Sequence, residues 1–124
     1  MRCPCRKKSE SRSFADCCEP YHAGVRTAPT AEALMRSRYA AFALENAAYL
    51  RATWHPTTRP AEIAFTPGQT WTMLQVVAAH TAGDNATVEF VARSRTGGST
   101  QTLAEVSRFV QEGGRWLYID GVMR

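Results

Sequence analysis

The spacing of apolar positions changes character twice along the chain. Residues 1–29 hold Pro4, Pro20, Gly24 and Pro29, with no apolar recurrence at a period of 3.6 or of 2. A segment of this kind needs something other than a hydrophobic core to order it. Thr30 then reads as an N-cap with Glu32 in the first turn, and Leu34, Met35, Arg38, Tyr39, Ala41 and Phe42 follow at helical spacing. This predicts a helix over about 31–43. A second helical stretch runs from Asn46 to Trp54, with Tyr49, Leu50 and Thr53 three and four apart. It stops before His55-Pro56, because proline disfavours helix for the residue that precedes it. Pro56, Pro60, Pro67 and Gly68 make residues 55–70 a connecting loop.

From Trp71 the period becomes that of strands, at about 71–80, 86–95, 100–111 and 115–120. Ala82-Gly83-Asp84-Asn85, Gly97-Gly98 and Gly113-Gly114 separate them. Three successive hairpin turns describe an antiparallel meander. Helices first and antiparallel strands after them predict an α+β fold, the helices packed on one concave face of the sheet.

The chain has 124 residues, 44% apolar and 21% charged, which suits one globular core with an N-terminal appendage. MRCPCRKK is followed by no apolar run of signal-peptide length, and no window approaches a membrane span. A cytoplasmic location away from membranes is expected. The net charge of +4 is uneven: before residue 27, Arg2, Arg6, Lys7, Lys8, Arg12 and Arg26 outnumber Glu10, Asp16 and Glu19 by three. That excess would attract nucleic acid or an acidic protein surface. It would equally offset metal-bound thiolates, since four cysteine sulfurs on one divalent zinc carry about −2.

All four cysteines, Cys3, Cys5, Cys17 and Cys18, fall in the first eighteen residues as C-P-C, eleven residues, then C-C. In a reducing compartment such crowding points to a metal site, and structural zinc takes four ligands, commonly all cysteine. Tight turns would bring the two pairs together, with Pro4 stiffening the first. Two disulfides (3–17 with 5–18, or the crossed pairing), a strained vicinal bridge, and free redox-active thiols remain open on spacing alone. His22 is near enough in sequence to replace one cysteine.

CPC…CC followed by EPYHAG…APTAEALMRSRYAAFALENAAYLRATWHP, with SRFVQEGGRWLYIDG near the end, resembles the YchJ-like family across essentially the whole chain. Members of that family join an SEC-C-type zinc motif to a domain of the nuclear transport factor 2-like (SnoaL, ketosteroid isomerase) superfold. The resemblance implies a zinc-binding segment over 1–29, a cone-shaped domain over 30–124 in which a curved sheet wraps a helix, and Cys3, Cys5, Cys17 and Cys18 as ligands of one structural zinc. SEC-C motifs elsewhere dock protein partners, which implies a protein or nucleic-acid partner for the basic knuckle. The usual motif continues C-P-C with Gly-Ser-Gly and a shorter interval, whereas Arg6 to Asp16 is longer and has no glycine. Many relatives carry a second zinc motif after the domain. None precedes Arg124, so a bivalent clamp is not expected. Dimers are common in the superfold, and a homodimer is a reasonable expectation.

Such a cone often holds a ligand or an active site, so the polar residues on its inner faces matter. Leu103, Glu105, Ser107 and Phe109 share one face of a strand, and Arg38 lies in the apolar stripe of the first helix. Arg38 and Glu105 are expected to meet inside the cone, as a structural ion pair or as a pocket floor. Tyr39, Tyr49, Trp71 and Trp116 are expected to fill it. Tyr49 and His55 complete the set of pocket candidates, His55 being suited to proton transfer or else a helix-end residue; His80 is weaker. No phosphate loop, Ser/His/Asp spacing, H-E-x-x-H or paired-carboxylate motif occurs. The leading expectation is a non-enzymatic, zinc-stabilised binding module. The alternatives are an isomerase- or dehydratase-type enzyme or a ligand-binding protein using the cone.

Overall fold

The computed structural model describes residues 1–6 and 10–124; Lys7 and Lys8, part of the basic excess, lie outside the described residues. Three helices precede four strands: α1 (Glu19–His22), α2 (Ala31–Ala43), α3 (Ala47–Ala52), β1 (Gln69–Ala82), β2 (Asn85–Thr96), β3 (Ser99–Glu112) and β4 (Arg115–Met123). The strands form one curved antiparallel sheet in the order β1-β2-β3-β4. The α+β meander is as expected, with strands longer than the apolar pattern shows because their polar ends continue the ladder.

Local chemistry sets the boundaries. Thr30 caps α2, its Oγ1 accepting from the Ala33 N–H at 3.1 Å, and Asn46 caps α3 through the Tyr49 N–H at 3.1 Å. Two-residue turns join the strands, each opening on a glycine with positive φ at Gly83, Gly97 and Gly113. A side chain is strained in that conformation, and it matches the twist of a tight hairpin. The four-residue α1 has no periodicity of its own to reveal it; Pro20 in its first turn starts it.

α2 lies against the sheet. Leu34, Ala40 and Ala41 are fully buried, and Met35, Arg38, Tyr39 and Phe42 look toward the inner-face residues Phe90, Ala92 and Phe109. After α3 the chain crosses the end of β4: Tyr118 donates its N–H to the Thr53 carbonyl and accepts from the His55 N–H, both at 2.8 Å. The N-terminal segment belongs to the same core, since Cys3, Cys5 and Cys18 are buried with Leu34 and Leu50. No helix is long and apolar enough to cross a membrane among the described residues.

Candidate functional site

Two places concentrate chemistry, the cysteine cluster and a cavity between α2 and the sheet. In the first, residues 1–3 and 12–14 pair as a short hairpin: Cys3 N–H donates to the Arg12 carbonyl at 3.0 Å and Phe14 N–H to that of Met1 at 2.8 Å. Arg6 N–H closes the turn around Pro4 on the Cys3 carbonyl at 3.1 Å. Cys17 and Cys18 arrive from the turn before α1. The Sγ atoms lie 3.6 Å apart for Cys3–Cys5, Cys5–Cys17 and Cys5–Cys18, and 3.9 Å for Cys17–Cys18, all four within 4.8 Å of one another. Thiolates about 2.3 Å from a central zinc stand about 3.8 Å apart, whereas a disulfide requires about 2.05 Å. The four separations of 3.6–3.9 Å match the edge of the first arrangement, and the four cysteines are free.

The surroundings suit a metal thiolate. Arg6 Nε donates to Cys17 Sγ at 3.4 Å, which pushes the guanidinium pKa up, and Arg36 Nη1 donates to the Cys5 carbonyl at 3.0 Å. Proton sharing with Cys3 and Cys5, together with burial, pushes the Cys18 thiol up; a divalent cation would replace that shared proton. His22 is not in the cluster. Its Nε2 meets the Ser37 carbonyl at 2.8 Å and its ring stacks against Tyr49 at 4.4 Å, fastening α1 to α2.

The second place is a cavity of about 220 Å³ whose lining includes Arg38 from α2, Trp54, Glu105 and Ser107 from β3, and Tyr118 from β4. Arg38 is only 5% exposed. Its Nη1 donates to the Leu50 carbonyl at 2.9 Å and to Thr53 Oγ1 at 2.7 Å, tying α2 to the end of α3. Its guanidinium lies 4.4 Å from the Tyr118 ring centre and 4.9 Å from that of Trp54. Burial lowers its pKa to about 10, so it stays cationic near neutrality. Nε and Nη2 have no acceptor among the described residues, and neither has the buried Trp54 Nε1. Glu105 accepts from Ser107 Oγ at 2.5 Å. Its carboxylate fills the space that a side chain at Gly121, opposite Ser107, would require.

Residues 30–121 match the family described as "YchJ, middle NTF2-like domain". The chain belongs to the YchJ family. A UPF0225 protein of Deinococcus radiodurans is 50% identical over 119 residues, covering 95% of this chain and 86% of that protein. A UPF0225 protein of Bordetella pertussis is 49% identical over 126 residues, covering 98% and 92%. Among solved structures, the chain is similar to a SEC-C motif containing protein from Rhodopseudomonas palustris at 37% identity and a TM-score of 0.83, covering 92% of this chain and 94% of that one. A second such protein, from Psychrobacter arcticus, shares 30% identity at a TM-score of 0.80, covering 98% and 82%. The nuclear transport factor 2-like fold and the four-cysteine cluster expected of a YchJ chain are therefore both present.

The polar candidates separate. Arg38 and Glu105 line one cavity, but no ion pair joins them among the described residues: each has taken neighbours on its own element or an adjacent one. Tyr49 lies on the opposite side of α2, its hydroxyl 2.7 Å from Ser37 Oγ, and takes no part in the cavity. Trp116 is on that side too, while Tyr39 and Trp71 meet edge to face at 5.8 Å in the cavity wall. His55 is also outside the cavity, its Nδ1 2.7 Å from Thr57 Oγ1 and its Nε2 3.0 Å from Glu112 Oε2, so it fastens the loop to β3. His80 is exposed near the end of β1. Trp54, Tyr118 and Gly121 were not legible as site residues, because their roles rest on contacts with residues far away in sequence.

Burial, and then the Glu105 carboxylate, push the Tyr118 pKa up to about 12; burial does the same for Tyr39, and raises Tyr49. An unfolded tyrosine ionises near 10. Between about 10 and 12 the unfolded chain has therefore lost protons that the native one keeps, so stability falls as pH rises through that window. Arg38, lowered by burial, opposes this as one group against several. Tyrosinate absorbance should rise late and together with loss of near-ultraviolet circular dichroism. Early ionisation of all four tyrosines in the folded protein would contradict the burial described.

Proposed function

We propose that this protein is a non-enzymatic small-molecule-binding module, in which one structural zinc on Cys3, Cys5, Cys17 and Cys18 fastens the N-terminal segment and the cone receives the ligand. The observation that carries the reading is Arg38. A guanidinium this deeply buried costs several kcal/mol to desolvate, and its two aromatic faces and Nη1 bonds offset that cost only in part. Three of its five N–H groups have no acceptor among the described residues, in an otherwise largely apolar cavity where a ligand would find orientation as well as burial. Binding is favoured over catalysis because His55 and Tyr49 lie outside the cavity, and the two tyrosines that share it with Glu105, Tyr39 and Tyr118, are raised to about 12, away from the range that suits proton transfer near neutrality.

Zinc is the cation best suited to four thiolates at these separations, and it would supply folding energy with no open position for chemistry. Two basic side chains of the knuckle, Arg6 and Arg12, are engaged within it: Arg6 with Cys17 and Glu10, and Arg12 with the Asp16 carbonyl. This favours charge balance at the thiolates over docking of a macromolecule.

Trp54 and Trp71 line the cavity and report on its contents. Titration of intrinsic fluorescence with small aromatic compounds, charged and neutral, should give saturable binding for at least one class. Ala92, 1% exposed in the cavity wall, provides the control: Ala92→Ile should fill the space and abolish binding while preserving the fold. Absence of saturable binding across the panel would overturn the reading.

A further inference from the structure

The free edge of Arg38 has a defined geometry. A guanidinium presents Nε and Nη2 as a parallel pair of N–H groups that matches the two oxygens of a carboxylate. The same chain shows this pairing at its surface, where Arg108 Nε and Nη2 meet the two oxygens of Asp120 at 2.6 and 2.7 Å. In Arg38 the protein engages Nη1 and leaves that fork edge without an acceptor among the described residues, on a side chain 5% exposed that lines the cavity. The guanidinium is also held in place, by the Leu50 and Thr53 acceptors and by the Tyr118 and Trp54 rings. A cation fixed in this way loses little conformational freedom when an anion binds.

We propose, resting on the small-molecule reading above, that the cone takes an organic monocarboxylate with a flat, unsaturated or aromatic body, its carboxylate held side-on by Nε and Nη2 of Arg38. Size sets the upper bound. A cavity of about 150 Å³ holds benzene, so about 220 Å³ accommodates one ring with a carboxylate and a small substituent. The walls suit a flat apolar body, being formed by Trp71, Phe90, Phe109 and their neighbours. Glu105 sets the charge. Its carboxylate lines the same cavity from the sheet side and disfavours a second negative group, which excludes dicarboxylates and phosphate dianions. Glu105 also offers an acceptor, so a hydroxyl or amine substituent on the ring gains a partner.

Calorimetric titration of the metal-loaded, full-length protein with benzoate, 4-hydroxybenzoate, benzamide and phthalate tests this. Benzoate should bind about tenfold or more tightly than its neutral counterpart benzamide, 4-hydroxybenzoate more tightly still, and phthalate undetectably. Arg38→Lys keeps the charge and loses the fork; it should weaken benzoate about tenfold and leave benzamide unchanged. Glu105→Gln should admit phthalate. If Arg38→Lys does not fold, the benzoate-to-benzamide ratio in the parent protein decides, together with the shift of the Arg38 Nε–H resonance on adding benzoate. Equal binding of benzoate and benzamide would overturn the carboxylate assignment and leave the ligand-binding reading standing. No binding by these probes or by any compound of the wider panel would overturn both.

Discussion

Cys18→Ser is expected to strip the bound metal and to destabilise the whole protein by more than about 4 kcal/mol, among the largest effects a single substitution produces. Cys18 is 1% exposed, and its Sγ sits 3.6 Å from that of Cys5 and 3.9 Å from that of Cys17, so serine replaces one thiolate of four with a weaker ligand. The loss does not stop at the knuckle. Cys3, Cys5 and Cys18 share a core with Leu34 and Leu50, and Arg36 of α2 donates to the Cys5 carbonyl at 3.0 Å, so release of the hairpin exposes one side of α2. Elemental analysis should give about one zinc per chain in the parent and none in the variant, while chelator should lower the melting temperature of the parent alone. Retention of metal by the variant, or a parent indifferent to chelator, would refute the four-thiolate site. Iron in place of zinc would keep the site and change the cation.

The second large effect is Phe109→Ala, expected to cost about 3–5 kcal/mol. Phe109 is 2% exposed on the inner face of β3, pairs with Tyr118 across the sheet and meets its ring edge to face at 5.8 Å. Truncation enlarges the existing cavity rather than opening a separate void, and it removes one of the contacts that hold Tyr118 against Arg38. Stability and ligand affinity should therefore fall together. Equilibrium denaturation should show a lower midpoint at an unchanged slope. A loss under about 1 kcal/mol would mean that the inner face tolerates a hole at its centre, contrary to the packing described.

Elements that local chemistry specifies were legible in the chain. α2 begins and ends where Thr30 and the apolar stripe place it, and the glycine turns set the meander, because capping, helical period and primed turns involve residues a few positions apart. Where the pattern is short or absent, as in α1, the reading failed: four residues held by a proline start and by contacts to α2 leave no periodic trace.

The site was legible in part. Alternation along β3 placed Glu105 inward and helical spacing placed Arg38 inward, and both conclusions follow from periodicity alone. Whether the two pair is another matter. Their separation depends on how far α2 stands from β3, which side chains between them decide, and Arg38 instead reached Thr53 fifteen residues on, while Glu105 turned to Ser107 over the bare Cα of Gly121. Tyr49 shows the same limit. Its helical position marks it as buried, but only the docking of α1 decides that it faces Ser37 and His22 rather than the cone.

By itself, then, the sequence determined the order of the two longer helices and four strands, the meander, the family and the set of four thiols, all of which rest on residue type and short-range spacing. Tertiary structure alone decided that the thiol sulfurs converge to within 4.8 Å of one another, that a cavity remains beneath α2, and that Nε and Nη2 of Arg38, which lines it, lack an acceptor among the described residues. Distances of that kind are set by packing between elements far apart in the chain, where no local period carries the information.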